Sequence, residues 1–183
     1  MVAAVTQGML SLESPRWASL TQSYGTAEDV PRLLEALACI GSTEARAEVW
    51  FALWRTLHRP QEAYSASYAA VPHLLIIGQA LSARECAEAV HLVTRIEVSR
   101  REPASASMPD DLVAAYGEAV DSLPAIVASM HVEPWSTEMA QILAAALLAG
   151  KRQPDLARDL LELGRPVVCP TCGTDHPPGV PRD

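Results

Sequence analysis

Three copies of one short pattern constrain this chain more than anything else in it. Val30-Pro31-Arg32-Leu33-Leu34, Val71-Pro72-His73-Leu74-Leu75 and Leu123-Pro124-Ala125-Ile126-Val127 all read aliphatic-Pro-x-aliphatic-aliphatic. Tyr64 and Tyr116 stand seven residues before the second and third copies. The copies begin 41 and 52 residues apart. A period of roughly 40 to 47 residues is that of stacked helix pairs, none of which can bury its apolar face without a neighbour. The longer spacing fits that period if the Ser/Pro/Ala-rich stretch Arg100 to Met108 is an insertion. Proline inside a helix deletes one hydrogen bond and bends the axis, so a repeated proline implies repeated curvature. The alternative is that the prolines are unrelated residues near helix starts, above all Pro31.

Composition points the same way. In 183 residues alanine and leucine far outnumber valine, isoleucine and the aromatics, a balance that favours helix over strand. The length suits one domain. Acidic residues number 22 against 14 basic, a formal charge of -8 that repels phosphate backbones and places generic nucleic-acid binding at a disadvantage. The first ten residues lack the basic start and apolar stretch of a secretory signal. The longest unbroken apolar run, Ile142 to Ala149, is far shorter than the ~18 residues of a membrane span. Cys39 and Cys86 stand alone and Cys169 and Cys172 form a CxxC, which is no secreted disulfide framework, so a soluble protein of the reducing cytoplasm is expected.

Capping residues and period divide the chain. Ser14-Pro15 opens a short helix to about Tyr24, closed by Gly25. Thr26 with Asp29 caps a second, which stops at Gly41. A third starts at Ser42 or Thr43, carries Val49, Trp50, Leu53, Trp54 and Leu57 on one stripe, and ends at His58-Arg59-Pro60. Helices from Glu62 to about Leu81 and from Ser82 onward form an antiparallel pair, and Arg100 to Met108 reads as a mobile loop. Pro109 opens a long amphipathic helix through Leu112, Tyr116, Ala119, Leu123, Ile126 and Met130. Two more follow, ending at Gly150 and near Leu163. The expectation is an all-α, right-handed solenoid of antiparallel helix pairs over residues 1–163, with an irregular Pro/Gly-rich tail over 164–183.

Ser14-Pro15-Arg16-Trp17-Ala18, Tyr24-Gly25, Ala27-Glu28-Asp29-Val30-Pro31, Trp50 to Leu57 and, above all, Tyr64 to Leu74 (YSASYAAVPHL) resemble bacterial HEAT-repeat-like proteins. The resemblance is clear from Glu13 to Leu81 and rests on pattern alone beyond. The third helix departs from those relatives, which end it in a hydrophobic-His-Gln-Gly-Thr turn, where this chain has Leu57-His58-Arg59-Pro60-Gln61-Glu62. HEAT-like chains also occur beside secreted toxins as cytoplasmic immunity proteins, so the resemblance implies a protein-binding role. It brings no catalytic residues.

Few residues suggest chemistry. Cys169-Pro170-Thr171-Cys172-Gly173 looks like one knuckle of a zinc ribbon, with His176 as a third ligand; structural zinc needs four, so the alternative is an unmetallated turn. His73 and His91 read as hydrogen-bonded, partly buried side chains, and His58 as a helix-end residue. Asp110 and Asp111 suit a helix start better than paired-carboxylate catalysis. Neither GxxxxGK[ST], HExxH, GxSxG nor GxGxxG occurs. Trp17, Tyr64, Tyr68 and His73 are candidate partner-binding residues, because Trp and Tyr dominate binding hot spots, whereas Trp50 and Trp54 read as core. The acidic residues Glu28, Asp29, Glu35, Glu44, Glu48 and Glu62 either meet a basic partner, such as a toxin, or form a solvated face. Two functions follow: a noncatalytic binding module, most specifically an immunity protein, or a HEAT-like nucleic-acid-acting or zinc-assisted enzyme.

Overall fold

Serine hydroxyls open four of the helical segments. Ser14, Ser42, Ser82 and Ser136 each accept a hydrogen bond from a backbone N–H two or three residues on, at 3.2 to 3.4 Å. The computed structural model describes residues 8–130 and 135–163, with the backbone of 167–168 and 175–176. Among these are seven α-helices: α1 (Val30–Cys39), α2 (Thr43–Leu57), α3 (Ser65–Ala80), α4 (Ala83–Ser99), α5 (Val113–Ser129), α6 (Thr137–Gly150) and α7 (Pro154–Glu162). The protein is all-α. Among the described residues the β structure is three antiparallel ladders of two-residue strands: β1 (Thr21–Gln22) with β2 (Gly25–Thr26), β3 (His58–Arg59) with β4 (Glu62–Ala63), and β5 (Val167–Val168) with β6 (Asp175–His176).

Each helix packs on its successor in the pairs α1–α2, α3–α4 and α5–α6. Across the pairs, α1 and α5 both rest on α3, α4 rests on α6, and α7 lies on α6 and α4. The central helix α3 is apolar nearly all round, as a helix packed on three neighbours must be. Trp17, Leu34, Leu53, Tyr68, Leu74, Ile96, Leu123 and Leu143 contribute the largest side chains to one continuous core. Among the described residues one stretch, Asp110–Ser129, is long and apolar enough to cross a membrane, and it is packed on α3 and α6.

The N-terminal helix is shorter than its caps imply. A 3-10 helix spans Pro15–Ser19, and the chain then turns into the β1–β2 hairpin. Trp17 draws the chain inward, donating through Nε1 to the Ser11 carbonyl at 2.9 Å. Gly25, with φ of 128°, serves the hairpin and does not end a helix. Asp29 does not cap α1; its carboxylate accepts from Gln22 Nε2. Pro31 sits in the first turn of α1, whereas Pro72 and Pro124 are inside α3 and α5, so the mid-helix proline recurs twice and not three times. Asp111 binds Arg16 through two hydrogen bonds of 3.0 Å instead of capping α5.

Arg100 to Met108 is tied down at several points. Ser105 Oγ accepts from Ala63 N and donates to the Ser99 carbonyl, Ala106 N donates to the Ala63 carbonyl, and Glu102 pairs with Arg158 at 2.7 Å. Behind the segment, the buried Glu97 carboxylate accepts from Tyr116 Oη at 2.6 Å and from Arg100 Nε and Nη2 at 2.9 Å. Those donors satisfy a charge that would otherwise be costly in the core.

Candidate functional site

Trp17, Tyr68 and His73 are buried, at 2%, 0% and 7% exposure. The Tyr68 ring meets Tyr116 edge-on at 5.4 Å and its hydroxyl donates to the Ala106 carbonyl at 2.7 Å. His73 Nε2 lies 2.8 Å from the Leu10 carbonyl, and its ring lies 6.3 Å from that of Trp17. Burial holds the His73 pKa below the usual range, partly offset by the Leu10 contact. These three side chains secure the N-terminal segment and the 100–108 segment to α3 and offer no surface to a partner. Tyr64 is half-buried and donates to Glu62 Oε2 at 2.6 Å; burial and that carboxylate push its phenol up to about 12. Cys169 and Cys172 lie outside the described residues, and His176 is described only as the backbone partner of Val167. The zinc expectation therefore lies outside the described residues too.

A recess lies elsewhere, between α2 and α4. It has a volume of about 470 Å³ and is lined by Trp50, Phe51, Trp54 and Ala47, with Glu44, Glu88 and Arg84 among its polar residues. Long side chains bridge the two helices here. At one end Arg46 binds Glu85 through Nε and Nη2 and also donates to the Ile40 carbonyl, while Ser82 Oγ donates to Glu85 at 2.6 Å. The Arg46 guanidinium, ahead of the Ser82 bond, holds the Glu85 carboxyl below its ordinary pKa. Four and eight residues on from Arg46, on the same face of α2, come Trp50 and Trp54. Trp54 Nε1 donates to Glu88 Oε1 at 2.5 Å, and its ring stands edge-on to His91 at 4.9 Å and to His58 at 5.9 Å. His58 Nε2 lies 3.1 Å from Ser99 Oγ; burial first, then the Arg95 charge, push its pKa down to about 4.

Of the two tryptophans expected in the core, Trp50 is buried and Trp54 is half-buried on the groove wall. The Trp50 indole N–H is buried with no acceptor among the described residues, whereas Phe51 beside it is 60% exposed. The groove combines a wide aromatic wall with a rim of mixed but mainly acidic charge, an arrangement suited to holding an apolar side chain. The repeat Arg46-Trp50-Trp54 facing Glu85-Glu88-His91 is visible in the sequence as polar and aromatic residues at helical spacing. Which helices would face each other is not. Comparison of the chain with family models, with curated proteins and with solved structures found no match.

Proposed function

We propose that this chain is a noncatalytic protein-binding module, a short right-handed α-solenoid of HEAT-like helix pairs whose α2–α4 groove receives its partner. The observation that carries the reading is the open aromatic recess of about 470 Å³ lined by Trp50, Phe51 and Trp54. An exposed apolar recess of this kind is what an anchoring side chain of a partner fills, with the charged rim setting orientation. Glu44 and Glu88 on the rim suit a basic partner, and with the resemblance to immunity proteins this makes a cytoplasmic toxin-neutralising role the most specific form of the reading. A nucleic-acid backbone would meet the same carboxylates and a molecule of net charge -8.

Co-expression with the product of the adjacent gene tests it. The expected result is a complex stable through gel filtration and, where that product is toxic, survival of the host cell. Ala47→Arg places a long cation in the groove from an exposed position and should weaken the complex by at least about tenfold without lowering the melting temperature. An unchanged complex with Ala47→Arg, or none at micromolar concentration, overturns the reading.

A further inference from the structure

Beside the groove, four side chains stack into a column of alternating aromatic rings and cations. Phe51 and Arg55 are one turn apart on α2, Arg59 follows in β3, and Tyr24 reaches across from the tip of the β1–β2 hairpin. The Arg55 guanidinium lies 5.5 Å from the Phe51 ring centroid and 5.6 Å from that of Tyr24, and the Arg59 guanidinium lies 5.2 Å from the Tyr24 ring centroid. Arg55 also donates to Tyr24 Oη through Nη2 at 2.7 Å and Nε at 3.1 Å. The hairpin itself is held on the end of α2, where Ser23 N donates to the Thr56 carbonyl at 3.1 Å and Ser23 Oγ to the Arg55 carbonyl.

Two features separate this column from ordinary surface. Tyr24 and Phe51 are 59% and 60% exposed, among the most exposed large apolar side chains described. Among the described residues Arg55 and Arg59, like Arg32, Arg84 and Arg101, have no carboxylate partner, but unlike those three they lie over an aromatic ring. Glu62 faces Arg59 across the β3–β4 ladder, but the bond its carboxylate makes is with Tyr64 Oη. Ring contact leaves N–H groups of a guanidinium unoccupied, so Arg55 retains Nη1, and Arg59, which also approaches the Tyr24 hydroxyl, retains part of its donor fork.

We propose that the Phe51–Arg55–Tyr24–Arg59 column is a docking surface for an acidic segment of a protein partner, two carboxylates of which bind the two guanidiniums. The proposal rests on the reading of the chain as a binding module and adds a second contact, adjoining the groove through Phe51. Stacking has already restricted both arginine side chains, so a carboxylate binds them at a reduced cost in rotamer freedom and in planar, paired geometry. The site is a small positive island in a negative field. A compact carboxylate pair reaches it, while a long polyanion is repelled by the rest of the molecule. A mainly basic partner carrying one such acidic pair would be fixed in register by the two opposed charge contacts.

Random-peptide display on the full chain tests the proposal. Wild type should select peptides with at least two carboxylates next to an apolar residue. A synthetic representative should bind the Arg55→Gln/Arg59→Gln double variant at least about tenfold more weakly, with melting unchanged. Arg59→Glu should instead select a lysine or arginine at one of the two acidic places, which a general loss of structure would not produce. Ala47→Arg in the groove should leave this binding intact. Selected peptides without carboxylates, equal binding by the double glutamine variant, or no enrichment each overturn the proposal, as does displacement of the peptide by an equal concentration of a short single-stranded oligonucleotide. Loss of binding with Ala47→Arg alone overturns the column and leaves the groove reading standing.

Discussion

His58 is the residue whose surroundings most alter its chemistry. Its imidazole is packed against Trp54 near Arg95, and both burial and that neighbouring charge disfavour the protonated ring, whose pKa falls from 6.5 to about 4. The unfolded chain takes up this proton near pH 6.5 and the folded chain does not until about pH 4, so the contribution to stability is complete above pH 6.5 and is lost as pH falls through that interval. His73, held down by its own burial, acts in the same direction. Urea unfolding followed from pH 7.5 to pH 4.5 should therefore show a falling midpoint, with His58 responsible for a loss on the order of 2 kcal/mol. His58→Gln should flatten most of that slope. A variant with the wild-type slope would show that the ring titrates normally in the folded protein.

At the scale of elements, two close approaches set the spacing of the helix pairs. A Cβ built on Gly78 of α3 would come 2.6 Å from Ala89 Cβ of α4, and one on Gly150 of α6 would collide with the Pro124 ring of α5 and lie 3.0 Å from the Val120 carbonyl. The second proline inside a helix thus has a packing partner that only glycine permits. Gly150→Ala should cost ~2 kcal/mol or more, because backbone and a rigid ring must move to admit one methyl group. Gly117, inside α5, meets Arg152 Nη2 at an ordinary 3.7 Å. Gly117→Ala should stabilise by ~0.5 to 1 kcal/mol through helix propensity and a less flexible unfolded chain. Thermal melts of the two variants should move in opposite directions.

In the molecule as a whole, one apolar cluster runs from Trp17 to Leu161 and joins all seven described α-helices. Cys172→Ser should then leave the melting of the helical body unchanged, and elemental analysis of protein purified without chelator decides whether Cys169, Cys172 and His176 hold zinc: the site requires about one ion per chain, or one per pair if shared. A drop in melting temperature of several degrees in Cys172→Ser would make the segment after Leu163 part of the core. The helical class, the starts of α2 and α4 at Ser42 and Ser82, and the end of α2 at His58 were legible in the sequence, because caps and the 3.6-residue period act between residues a few positions apart. The folded chain was needed to show that the 100–108 segment is bound through Ser105 to Ala63, that Tyr68 and Trp17 face inward, and that Tyr24 meets both Arg55 and Arg59. Each of these depends on pairing residues that are distant in the chain, and a local pattern contains the same aromatic and serine side chains whether or not a distant carbonyl or guanidinium arrives to meet them.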